Sequence, residues 1–238
     1  MRQPSFFQQL WRQWQHHTSA PDQPLAPQGL HQSLANTTVV VFDQETTGLN
    51  QNRDEILSIG AVKILPQGLS YQDQFYVVLN RPLGAKQRDS QLIHGLTQHE
   101  LAQGQPPEVA LQAFLDYRQD HLCFAFHAPF DQALLNKSVH RHLGLTEQPK
   151  IFDIAEIAQA LYPDYPRYQQ LDDWLQHFGL TTTARHQALG DAVVSAELLL
   201  ILRKQALLSG HRTWADVMAA CDQHKKWSQR QQAAAFTF

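Results

Sequence analysis

Two cysteines among 238 residues are too few and too far apart for a disulfide framework: Cys123 sits in an apolar run and Cys221 lies far downstream. No apolar stretch approaches the roughly 20 residues that a membrane-spanning helix needs. The opening MRQPSFFQQLWRQWQHH is interrupted by Gln, Arg and His, so it lacks the continuous apolar core of a secretory leader. A cytoplasmic protein with no membrane partner is expected. An excess of positive charge is also missing. Lys and Arg number 19 against 22 Asp and Glu, a net charge of −3, which excludes a protein that grips duplex nucleic acid mainly through a broad basic surface. It does not exclude one that grips a few nucleotides, because bound divalent metals supply positive charge locally. Internal repeats and long low-complexity segments are absent.

What remains is an ordinary globular composition, 43% hydrophobic, long enough for one domain with a substantial core. Residues 1–36 read as an N-terminal extension. Phe7, Leu10, Trp11 and Trp14 recur there at helical spacing, as a docking helix or as one that packs on its own domain. Residues 37–208 read as the main domain, and 209–238 as a C-terminal helix and tail. Within the main domain, TTVVVFDQE, residues 55–65 and residues 72–80 read as three strands, the last two joined by a turn through Pro66 and Gly68. Thr97 and Glu100 form a helix-starting capping box, and Pro106–Tyr117 is amphipathic. LCFAF (122–126) and KIFDI (150–154) are two further short strands, each followed by a helix. Helices then run through Leu171–Phe178 and Ala188–Leu208. Trp214, Val217, Met218 and Cys221 mark one more apolar helix face, and the Gln-rich stretch after Trp227 reads as a mobile tail. This order predicts an α/β fold of ribonuclease-H-like type: a mixed five-stranded sheet, three antiparallel strands then two more, with helices on both faces.

Asp43 and Glu45 end the first strand, and a period of two puts both on one face. Such a pair repels itself and loses hydration at the tip of a buried strand. A hard cation such as Mg²⁺ or Mn²⁺ resolves the conflict, since these ions prefer carboxylate oxygen; a solvated strand end is the competing explanation. Thr46-Thr47-Gly48-Leu49 follows. Gly48 permits a tight turn in which backbone amides and threonine hydroxyls can face a nucleotide. Asp131 lies in His127-Ala128-Pro129-Phe130-Asp131, in the first turn of a helix, where the dipole alone is a sufficient reason for an anion. His186 and Asp191 are five residues apart, a rotation of about 140° on a helix. Both can face one site only if His186 precedes the helix and Asp191 lies inside it. Asp54, Glu55, Asp153, Asp172 and Asp173 read as structural or solvated acids, with Asp153 a helix cap.

FDQETTGLN, PFDQALL and HQALGDA, in that order, resemble the three motifs of the DEDDh 3′→5′ exonucleases, the family that includes the proofreading epsilon subunit of bacterial DNA polymerase III. The resemblance runs from about Thr37 to Leu208 and takes in Ile93-His94-Gly95-Leu96-Thr97. It implies Asp43, Glu45, Asp131 and Asp191 as ligands to two Mg²⁺ or Mn²⁺ ions, with His186 as general base. It implies that Thr46, Thr47, Gly48 and Leu49 contact the terminal nucleotide, Leu49 as a wedge, and that His127 and Phe130 contact the strand. Ala125-Phe126-His127 stands where relatives often have Gly-His-Asn, a departure that bears on strand contacts near His127. Gln44 replaces a frequent Thr, and its side chain should point away from the site. The implied reaction releases nucleoside 5′-monophosphates from the 3′ end of single-stranded DNA, in proofreading or repair. An exoribonuclease of the RNase T or oligoribonuclease kind shares the same core, because the 2′-hydroxyl contacts that separate them are not readable. A reading of another class is a polymerase-associated binding subunit with 1–36 and 210–238 as docking arms. The intact acid and histidine set argues against a purely non-catalytic role.

Overall fold

The structure, a computed structural model, describes residues 29–81, 95–146, 150–165 and 168–235. The helix expected from Phe7, Leu10, Trp11 and Trp14 lies outside the described residues, as do Ile93 and His94.

Strand β1 (Val39–Thr46) is fully buried from Val39 to Phe42, so apolar side chains leave it in both directions. A strand of that kind belongs in the middle of a sheet covered on both faces. It pairs antiparallel with β2 (Ile56–Leu65), which pairs antiparallel with β3 (Gly68–Val78). On its other side β1 pairs parallel with β4 (Leu122–Ala125), and β4 with β5 (Ile151–Asp153). The order is β3-β2-β1-β4-β5, the expected three antiparallel strands followed by two more. One boundary moves. β3 begins at Gly68, ahead of the expected start at residue 72, because the turn is confined to Pro66 and Gln67 and Gly68 takes φ +136°. The slack is absorbed where the register shifts between Val62, opposite Gln74, and Lys63, opposite Ser70.

Alternate side chains of the central strands build two cores. Val39, Val41, Val62 and Phe124 pack with Ile157 of α4 (Ile154–Leu161), Trp174 of α5 (Leu171–Phe178) and Val194, Leu198 and Leu202 of α6 (Ala188–Leu208). Val40, Phe42, Ile59 and Cys123 pack on the opposite face. Their partners are Leu111 and Phe114 of α2 (Pro107–Arg118) and Leu134, Leu135 and Val139 of α3 (Ala128–Leu143). The short α1 (Gln98–Gln103) starts at the expected capping box: the Thr97 amide donates to Glu100 at 2.7 Å, and the Glu100 amide to the Thr97 hydroxyl at 3.2 Å. Both cysteines are buried and free. Among the described residues, no helix is long and apolar enough to cross a membrane.

The flanks contribute to the first core. Leu34, Trp214 and Val217 are buried in it, and the Trp214 ring lies 4.6 Å from that of Phe124. The Leu34 amide donates to the Arg212 carbonyl at 2.9 Å. Helix α7 (Trp214–Ala235) continues through the Gln-rich stretch that was expected to be a mobile tail. Gln, Lys, Arg and Ala are all good helix formers, and Trp214, Val217 and Cys221 anchor the first turns.

Gly60, in the interior of β2, determines how closely α6 approaches the sheet. A methyl group there would lie 2.2 Å from the Leu189 amide nitrogen and 2.4 Å from the Ala188 carbonyl carbon. Gly60→Ala should therefore lift the start of α6 and cost about 1–3 kcal/mol, the range for overpacking. Urea unfolding measures this; a variant as stable as the parent would show that α6 does not rest on this glycine.

Candidate functional site

The end of β1 is where the face of the first core stops being apolar. Asp43 and Glu45 continue the row of Val39 and Val41, so they point toward α6. Asp43 is paired across the ladder with Gly60, the residue on which the start of α6 rests. Asp191, in the first turn of α6 and only 7% exposed, is thereby brought down onto the strand end. One carboxylate oxygen each from Asp43, Glu45 and Asp191 lies within 4.8 Å of the other two.

Asp131 arrives from the other side of the sheet. β4 runs parallel to β1, so the turn after β4 lies at the same edge as the end of β1. That turn bends through His127, whose backbone is left-handed at φ +61°, and α3 follows with Asp131 in its first turn, 5% exposed. Asp153 fixes the bend: one of its oxygens accepts the His127 amide at 3.0 Å and the Ala155 amide at 2.9 Å, so it caps α4 as expected. Gln44 points to the opposite face from its neighbours and donates to the Asp131 carbonyl at 3.4 Å. Phe130 leans partly into the second core.

His186 precedes α6, on a loop and with φ +60°. Its amide donates to Asp191 Oδ2 at 3.1 Å. This bend is possible because Gly190 has no side chain; a methyl group there would lie 2.1 Å from the Ala184 carbonyl oxygen. The same loop carries Arg185, which forms an ion pair with Asp191 and donates through Nε to Asp172 Oδ1 at 2.7 Å.

The loop after β1 is built around Asp54. Its carboxylate accepts the Thr47 hydroxyl at 3.0 Å and the Asn50 amide at 2.7 Å. A methyl group on Gly48 would meet that carboxylate at 2.7 Å, so Gly48 makes room for Asp54. The threonine hydroxyls, expected to face a nucleotide, are engaged within the loop: Thr46 donates to the Gly48 carbonyl at 2.9 Å, and Thr47 to Asp54. Lys137 of α3 donates to the carbonyls of Gln51, at 2.7 Å, and of Asp54. Leu49 is left 89% exposed, a large apolar side chain held out on an ordered loop.

Burial first, and then Asp131, Asp191 and Glu45, push the Asp43 carboxyl well above the ordinary carboxylate range. Burial and Asp191 raise Glu45 to about 7. Asp131 is raised as well, chiefly by burial. Carboxylates that are crowded, desolvated and short of counter-charge form a donor set that a hard divalent cation satisfies. The residues present therefore fit such an ion. Asp54, Gly60, Arg185 and Lys137 were not picked out from the sequence as shaping the site. Only Gly60 carried a signal, as an isolated glycine inside a strand.

The RNase_T family model, described as Exonuclease, matches residues 40–199. The PolC-type DNA polymerase III of Streptococcus pyogenes serotype M1 is 31% identical over 184 residues, 77% of this chain and 12% of that protein. Its counterpart in Thermotoga maritima is 34% identical over 168 residues, 71% of this chain and 12% of that protein. The chain thus spans about an eighth of the length of these relatives. Among solved structures, E. coli exonuclease I in complex with a dT13 oligonucleotide shares the fold. Its TM-score is 0.61 at 13% identity, over 72% of this chain and 42% of that one.

The raised carboxyls have a consequence for stability. Glu45 has an ordinary value of 4.5 and a folded value of about 7, so between these the folded state binds the extra proton. Without metal, stability should fall as pH rises through that window; Asp43 and Asp131 act with the same sign. Melting temperatures in EDTA from pH 4.5 to 7 should decline more steeply for the parent than for Glu45→Gln, and the variant should melt higher at pH 7. A parent profile that rises relative to the variant would contradict burial as the dominant influence.

Proposed function

Because the chain belongs to the exonuclease family, with motifs of the DEDDh kind, we propose that it hydrolyses phosphodiester bonds at the 3′ end of single-stranded DNA, releasing nucleoside 5′-monophosphates. The observation that carries this reading is the convergence of Asp43, Glu45 and Asp191 oxygens within 4.8 Å, drawn from a strand end and a helix start remote in sequence. Asp131, beside them, is the fourth acid. Asp43, Glu45, Asp131 and Asp191 would hold two divalent cations, Mg²⁺ or Mn²⁺. When bound, these ions supply Lewis-acid stabilisation of the charge that builds on the phosphate.

The chain's own residues do the rest. The ordered loop built on Asp54 presents Leu49 as an apolar wedge against the last base, with backbone amides around Thr46 beside the terminal nucleotide. His127 and Phe130 line the approach from α3. His186 in its neutral form accepts the proton of the attacking water at a ring nitrogen. The water oxygen bonds to phosphorus, the P–O3′ bond breaks, and the departing 3′ oxygen takes up a proton. The tether from the His186 amide to Asp191 keeps the base beside the acid cluster. DNA is favoured over RNA by the PolC-type DNA polymerase relatives and by the dT13-bound neighbour. The same relatives support a role beside a DNA polymerase, in proofreading or repair.

His186→Ala should lower turnover by about 10²–10⁴-fold, the usual contribution of a general base. Asp43→Asn should abolish nearly all turnover while the fold survives by circular dichroism. The assay is digestion of 5′-labelled single-stranded DNA and matched RNA with Mg²⁺, with Mn²⁺ or with EDTA. Degradation that persists in EDTA, or full activity of His186→Ala at saturating metal, would sink the assignment; preferential digestion of RNA would transfer the substrate to the exoribonuclease class.

A further inference from the structure

Both oxygens of Asp191 are engaged by the loop that precedes its own helix. Oδ2 accepts the His186 amide at 3.1 Å, and Oδ1 is paired with the Arg185 guanidinium. These partners differ in kind. The amide belongs to the backbone and leaves only if the loop moves. The guanidinium sits on a long side chain and already has a second acceptor, Asp172 Oδ1, at 2.7 Å through Nε. The two carboxylates that Arg185 bridges are unlike: the Asp191 side chain is 10% exposed and that of Asp172 is 67% exposed. One end of the bridge therefore lies in the acid cluster and the other in water. Among the described residues, Arg185 is also the one cation that offsets the mutual repulsion of both Asp43 and Glu45.

We propose that Arg185 is an exchangeable counter-cation: it holds Asp191 in the metal-free protein, and a divalent cation entering the acid cluster displaces it onto Asp172. The inference rests on Asp43, Glu45 and Asp191 being metal ligands. Two cations competing for one carboxylate oxygen are negatively coupled, and the coupling is reciprocal. Arg185 thus lowers the affinity of the site for metal while keeping the empty site folded. Asp172 retains the guanidinium after the exchange, so the His186 loop stays anchored to α5 throughout. Arginine suits this bridge because its planar fork reaches two acceptors at once, which the point charge of a lysine does not.

The test is calorimetric titration of the full chain with Mn²⁺, at about 0.15 M salt so that distant charges are screened. R185Q should bind Mn²⁺ about tenfold more tightly than the parent, inside the roughly 5–150-fold range of coupled sites. R185K keeps the charge but loses the fork, and should shift affinity several-fold in the same direction. In EDTA, R185Q should melt below the parent, since the empty cluster loses its counter-charge. If R185Q binds Mn²⁺ no more tightly than the parent, the competition does not exist and the proposal fails. If R185K matches the parent, charge alone accounts for the effect and the bridge is overturned. A folded parent that takes up no Mn²⁺ is a different failure, that of the ligand assignment itself.

Discussion

Four carboxylates crowd one edge of this sheet, and their mutual repulsion is the constraint around which the rest is arranged. Two unit charges 4 Å apart interact by about 4 kcal/mol at the effective dielectric near a protein surface, and burial removes the water that would relieve them. The fold does not relax the problem by spreading the acids apart. Asp43 and Glu45 are fixed by strand alternation, and Asp191 and Asp131 by the first turns of two helices packed on opposite faces of the sheet. Each of these placements is backed by a well-filled core, so burial first, and the repulsion after it, appear as raised carboxyl pKa values instead of as displaced backbone. A local conflict tolerated by a globally consistent structure is the usual mark of a functional centre.

The convergence depends on where backbone meets backbone. Parallel pairing of β1 with β4 brings the end of one strand and the turn after the other to the same edge, which joins Asp131 to the strand-end pair. The opposite approach needs a missing side chain. Gly60 faces Asp43 across the ladder and admits the start of α6, and Gly190 admits the loop that carries His186. Both glycines act by close approach: neither has a positive φ, so their value lies in the absent Cβ. The left-handed backbone falls instead on His127, the cap of α3, and on His186, in the loop just before α6, and both of these helices carry an acid.

This division explains what was legible in the sequence. Features governed by neighbours a few residues away were readable: the two-residue spacing of Asp43 and Glu45, the Thr97–Glu100 capping box, and the need for His186 to precede its helix. The five-stranded mixed sheet was readable because its apolar runs and turn signals are strong. Features that depend on a partner far along the chain were not. Asp54 reads only as a structural or solvated acid at a strand start until Gly48 and Thr47 fold over it. Arg185 reads as an ordinary loop residue until α5 and α6 place Asp172 and Asp191 on either side of it. The boundary errors have the same origin: β3 starts early because a bulge absorbs the difference, and α7 runs on because its first turns are anchored in the core.

The charge balance then bears on how a polyanion is held. Many of the described cations near this edge are committed locally. Arg81 and Arg141 both pair with Glu55, Lys137 is bound to loop carbonyls, and Arg185 is shared between two acids. Glu55, read from the sequence as a structural or solvated acid, lies between two guanidiniums and offsets one of their two charges. A duplex-binding surface needs many uncommitted cations along a groove, and among the described residues these four are each engaged by groups of the chain itself. What this edge offers is an exposed leucine on a hydrogen-bonded loop and a nest of acids whose donor set suits a divalent cation. On the proposed reading, then, attraction for the phosphate is concentrated where the metal sits, at the end of the strand. That restricts productive binding to a terminus, which is the selectivity an enzyme removing one nucleotide at a time requires.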